Sequence, residues 1–372
     1  MGEVTFLPWL GLEEGTEVAG VRLLPWRDFV KTRNLAEPDH EWLEKYFSRY
    51  RERDGQTPVN TVTIAWSNEG DQGRMLRVVR TLAAAHLVFA HAGYLCGGNP
   101  TIVPARAERW QVFTQRFDCN DDHVALSEGY STSVFAVNSF VEIEPLSGGD
   151  LVRRLEAPVV EMAKALVGKA ENDENLAIAM DLLVEGGKTS DAHVRRLNFV
   201  FLGTALELLT GAGDEPRKGR CIAKRLAEAV KRARRGCPAA KNEWEQVVTS
   251  ARNVDPDLVR IWMGGCDQCR RRPCSIHAEA YGGWYGRRNE VVHAGRADEG
   301  LLLHRRPDNG EPHRWSIPGV VSQGARACDV ALAMSGWLLL DRVGEDLSCK
   351  DWSGWCHQLE RAAEAMGMGS CR

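Results

Sequence analysis

No stretch of this 372-residue chain reads as a membrane span. Its longest apolar run, Val330 to Leu340, is closed off by Asp329 and Asp341 and falls well short of the roughly 20 residues a bilayer helix needs. An excess of either charge is missing too. With 47 Lys and Arg against 51 Asp and Glu the net charge is −4, so any nucleic-acid-binding signal must be local. The opening residues, Met1-Gly-Glu-Val-Thr-Phe6, lack the basic start and apolar core of a secretory signal. Position 6 is Phe where N-myristoylation calls for Ser or Thr. Together these absences predict a soluble, cytoplasmic protein with no membrane partner. Repeats and low-complexity segments are also missing. Cysteine is not scarce: there are 11, an odd number. Without an export signal they predict reduced thiols, and metal binding where they cluster. Apolar content of 44% and charged content of 26% are those of a globular protein, and the length suffices for two domains with separate cores.

Periodicity divides the chain into a mixed α/β part and a helical part, an α+β protein. In the first, Pro38 to Tyr50 carries Trp42, Leu43, Tyr46, Phe47 and Tyr50 at helical spacing. Asn60 to Trp66 alternates like a strand, with Val62, Ile64 and Trp66 on one side and Thr61, Thr63 and Ala65 on the other. Gln72 to Ala92 is expected to be an amphipathic helix burying Met75, Leu76, Val79, Leu82, Ala83 and Leu87. Thr101–Ala105, Trp110–Phe117 and Ser131–Glu144 are further strand candidates. The Ser147-Gly-Gly149 turn marks the change of character, which places the domains at 1–148 and 149–372. Beyond it helices are expected over Asp150–Lys169 (broken at Pro158), Glu174–Glu185, Ser190–Leu209, Arg217–Arg235, Asn242–Asn253, Tyr281–Ala294, Val320–Val343 and Trp352–Met366. Ser190-Asp-Ala-His193 caps the third of these, whose stripe reads Leu197, Val200, Phe201, Thr204, Leu208.

The most informative segment is Tyr281-Gly-Gly-Trp-Tyr-Gly-Arg-Arg-Asn-Glu-Val-Val-His-Ala-Gly295. On a helix Asn289 and His293 lie at i, i+4 and share a face, with Arg288 beside it. Histidine moves protons near neutral pH, and the arginine fork holds a phosphate. The plainer alternative has His293 facing the negative end of its own helix as a cation. The run Phe199-Val-Phe-Leu-Gly-Thr-Ala-Leu-Glu-Leu-Leu209, followed by Arg287-Arg-Asn-Glu-Val-Val-His293, resembles the HEPN superfamily of helical bundles, and within it the ApeA-like branch. The resemblance covers the helical part, from Leu151 to about Met366, and leaves the first ~145 residues without a counterpart. It implies a metal-independent endoribonuclease, working as a homodimer, in bacterial anti-phage defence or a toxin-like role. Arg288, Asn289 and His293 take the motif positions, and Glu207 matches the acidic position on the partner helix. The first domain would then sense a phage-derived or cellular trigger. Other members of the family have lost catalysis, so a non-catalytic dimerisation or RNA-binding module is the competing expectation.

Two local signals accompany the motif. The predicted helix Arg217–Arg235 holds Arg217, Lys218, Arg220, Lys224, Arg225, Lys231, Arg232, Arg234 and Arg235 against the single acid Glu228. Nine positive charges and one negative charge leave a net of +8 in a chain that totals −4. Such a face tracks a phosphate backbone, or is simply solvated. Cys266-Asp-Gln-Cys269-Arg-Arg-Arg-Pro-Cys274-Ser-Ile-His277 has the spacing C-x2-C-x4-C-x2-H, within a loop at 264–278. Three thiolates and one imidazole can close a tetrahedral structural Zn²⁺ site, and Arg270, Arg271 and Arg272 offset its net negative charge. The alternative is a reduced, arginine-rich surface loop. His86 and His91 are read as packing or surface residues, and Cys349, Cys356 and His357 lack a fourth partner at ligand spacing.

Overall fold

In the computed structural model, the opening residues Gly2–Leu7 form β1, near the centre of an antiparallel sheet. The structure describes residues 2–33, 44, 47, 62–67, 71–97, 107–117, 123–128, 131–136, 154–188, 192–215, 218–233 and 327–363. They show an α+β protein in two units, Met1–Arg80 with Arg106–Glu156, and Thr81–Ala105 with Ala157–Arg372.

The first unit is built on a sheet whose seven described strands run in the order β2-β3-β4-β1-β5-β6-β7. Their ranges are Thr16–Val18 for β2, Val21–Pro25 for β3, Thr63–Ser67 for β4, Phe113–Phe117 for β5, His123–Glu128 for β6 and Ser131–Ala136 for β7. β2 and β3 turn through Ala19 and Gly20, whose φ values of 48° and 79° give a two-residue hairpin its right-handed twist. A short helix, α1 (Trp26–Arg33), follows β3. The strand expected within Asn60–Trp66 is present as β4, and residues on both of its sides are covered. Val62, Thr63, Ile64 and Ala65 are all buried, because β4 lies between β3 and β1 with both faces covered. Thr63 explains how a polar group fits there: its hydroxyl donates to Leu10 O and accepts from Leu12 N at 3.3 Å. That pair of bonds ties down the loop after β1, where Trp9, Leu10 and Leu12 are buried. Phe6 packs edge-on against Phe47, with 5.2 Å between centroids, and stacks with Phe113. Phe47 and Glu44 are helical and are the only residues of the expected helix Pro38–Tyr50 that are described.

One helix, α2 (Gln72–Gly97), begins in the first unit and continues into the second at Thr81. It is amphipathic only at first. Met75, Val78 and Val79 are buried beside exposed Arg77 and Arg80, and Leu76 is part-exposed. From Thr81 to Val88 only His86 escapes full burial. By length and apolar content Gln72–Ala92, rather than Val330–Leu340, is the described segment that matches a membrane span; 67% of its 18-residue apolar window is buried, as in a core helix.

The helices of the second unit are α3 (Ala157–Ala170), α4 (Glu174–Gly186), α5 (Ala192–Thr210), α6 (Lys218–Ala233), α7 (Ala327–Val343) and α8 (Cys349–Ala363). Pro158 starts α3 rather than breaking it, since a first-turn residue has no helical N–H bond to lose. Val159, Met162, Ala163, Leu166, Val167 and Ala170 make its core stripe. Asp173 caps α4, accepting from Leu176 N at 3.0 Å. Ser348 caps α8 through Asp351 N at 3.2 Å, which is why that helix starts at Cys349 and not Trp352. Trp355 of α8 donates to Pro158 O at 2.9 Å and meets Phe89 edge-on at 4.9 Å. The expected strand Thr101–Ala105, the helix Asn242–Asn253, the turn at Ser147 and the Ser190 cap lie outside the described residues.

Candidate nucleic-acid interface and the helices that carry it

The central strut of the second unit is α5. Its core face is Asn198, Leu202, Ala205, Leu206 and Leu209. The stripe expected from the sequence lies on the opposite side: Leu197 is 53% exposed, and Val200, Phe201, Thr204 and Leu208 are only partly covered. The helix is apolar almost all round, so spacing alone admits two faces. Packing against α4 chooses between them. Gly186 lets Leu202 come so close that a Cβ there would sit 2.6 Å from its Cγ, and the Asn198 amide donates to Lys188 O.

The C-terminus of α5 is closed by a Schellman motif. Gly211, at φ 62°, donates to Leu208 O at 3.1 Å, and Ala212 donates to Glu207 O at 2.9 Å. Two arginines satisfy the carbonyls left over: Arg225 of α6 donates to Thr210 O, and Arg342 of α7 to Leu209 O at 2.9 Å. Both cations also complement the negative end of the helix dipole. Arg342 lies 3.7 Å from the Asp173 carboxylate, and Lys169 reaches both Arg342 O and Asp346, the latter at 2.8 Å. Helix ends from α3, α4, α5 and α7 therefore meet at one polar junction.

The basic helix is tied into this frame. Lys218 pairs with Glu207 at 3.2 Å, Arg225 with Glu215 at 3.2 Å and Lys224 with Glu228 at 3.9 Å. Arg232 grips Asp341 of α7 with both prongs of its fork, Nε to Oδ1 at 2.7 Å and Nη2 to Oδ2 at 2.8 Å. That hydrogen bonding holds the guanidinium even more firmly in its charged form. Thus all four expected phosphate-tracking cations with described side chains have acidic partners within the protein. Arg220 and Lys231 lie on the helix with side chains outside the description; Arg217, Arg234 and Arg235 lie outside the described residues. Cys221, on the same helix, has its thiol pKa raised mainly by burial, the opposite of an activated nucleophile.

Glu207 is 7% exposed and braces α5 to α6 through Lys218. The rest of the candidate catalytic set, Arg288, Asn289 and His293, lies outside the described residues, as do the candidate zinc ligands Cys266, Cys269, Cys274 and His277. No group of three or more metal-ligating side chains occurs among the described residues. His91 is buried, and burial together with neighbouring His91 lowers the His86 pKa to about 4, so His86 is a neutral packing residue at physiological pH. Cys356 is buried while Cys349 and His357 are exposed. In the sequence Asp341 marks only the end of the apolar run Val330–Leu340, and Arg342 follows it unremarked. The only available hint was an adjacent acid and base in the last turn of an apolar helix. No family model, curated protein or solved structure matches the chain.

Proposed function

We propose that the protein is a metal-independent endoribonuclease of HEPN type that cleaves RNA, such as tRNA, in an anti-phage defence or toxin-like role. The observation that carries this reading is the sequence Arg288-Asn-Glu-Val-Val-His293 at helical spacing. It is supported by α5, whose Ala205 and Leu206 lie in the core of a helical unit with Glu207 at its edge. In the proposed reaction the RNA 2′-oxygen attacks the adjacent phosphorus and the bond to the 5′-oxygen breaks. One imidazole takes the 2′-hydroxyl proton, and another protonates the leaving oxygen. A homodimer would supply the two imidazoles as His293 from each copy. Arg288 would stabilise charge on the phosphorane, and Asn289 would orient the imidazole or a phosphate oxygen. Cys266, Cys269, Cys274 and His277 are a donor set suited to closed, structural Zn²⁺, which would order the loop before the catalytic helix. The first unit would sense the trigger.

The test uses the full chain, purified without chelators and assayed on RNA with no metal added, so that any structural Zn²⁺ stays in place. Wild type should cut, and His293→Ala should cut at least about 100-fold more slowly while keeping its circular dichroism and RNA affinity. Equal cutting by both proteins, or none by the wild type, overturns the reading. A second reading, a non-catalytic HEPN-like dimerisation or RNA-binding module stabilised by zinc, is favoured by the Glu207–Lys218 pair. That pair gives the acidic residue a bracing job that needs no catalysis. It predicts RNA affinity without cleavage in either protein.

A further inference from the structure

We draw no further inference here: the strongest candidate, the apolar back face of α5 formed by Leu197, Val200, Phe201 and Leu208, lies opposite the core, and nothing among the described residues shows what covers it.

Discussion

Arg232 can be assigned as a brace or as a phosphate contact by a double-mutant cycle with Asp341. Two near-ideal bonds, at 2.7 and 2.8 Å, join a guanidinium with 59% side-chain exposure to a carboxylate with 18%. Exposed ion pairs contribute ~0.2–1 kcal/mol. The two-pronged geometry and the covered carboxylate put this pair near the top of that range, so the coupling energy should be about 1 kcal/mol. Urea unfolding of wild type, Arg232→Ala, Asp341→Ala and the double variant measures it, because the double variant then loses less than the two single losses combined. A loss of about 1 kcal/mol should also lower Tm by roughly 2–4 °C. RNA affinity at low salt supplies the second arm. With its fork engaged by Asp341, Arg232→Ala should change affinity less than about twofold, whereas an independent phosphate contact would also flatten the salt dependence. Coupling below ~0.3 kcal/mol together with a tenfold loss of RNA affinity in Arg232→Ala would refute the bracing role.

Gly186→Ala should destabilise the protein by about 1–3 kcal/mol, because its Cβ would meet Leu202 Cγ and Cδ2 at 2.6 Å. Gly168→Ala, with nothing within 4 Å of the added atom, should instead gain up to ~1 kcal/mol in α3, and urea midpoints that shift alike would contradict both assignments. His86 makes stability depend on pH with a defined sign. Its folded pKa, about 4, lies below the unfolded 6.5, so its neutral-state contribution is complete above about 6.5 and is lost as pH falls toward 4. Over that window the loss amounts to roughly 2–3 kcal/mol. His86→Gln should flatten the Tm profile between pH 6.5 and 5, above the main carboxylate range, and an unchanged profile would remove His86 as its source. Elemental mass spectrometry of protein prepared without chelators should find about one Zn²⁺ per chain, and Cys266→Ser should lower it; less than half a zinc in wild type would dismiss the site.

Much of the helical unit was legible because helix starts and stops are local. Asp173 and Gly211 act within four residues of themselves, and the expected and observed ends of α4 agree to within a residue; Ser348 acts as locally, yet α8 starts three residues before the expected Trp352. The sheet was harder to read. The alternation of Glu3, Val4, Thr5 and Phe6 is a usable strand signal, yet only pairing with β4 and β5 makes the opening residues a central strand. The candidate site divides in the same way. The charge of α6 is plain in the sequence, but the partners of its cations are not. Asp341 is 109 residues from Arg232, a separation that periodicity cannot bridge.

The α+β composition, the order of most helices and the residue types that make Arg288, His293 and the cysteine cluster chemically suggestive all follow from the sequence alone. Those properties depend on spacing of a few residues. Tertiary structure alone decided which face of α5 is buried, since an all-round apolar helix becomes one-sided only when Gly186 admits Leu202. It also decided that Glu207 and Arg232 serve as struts, because opposite charges from separate helices are paired only when packing brings those helices together.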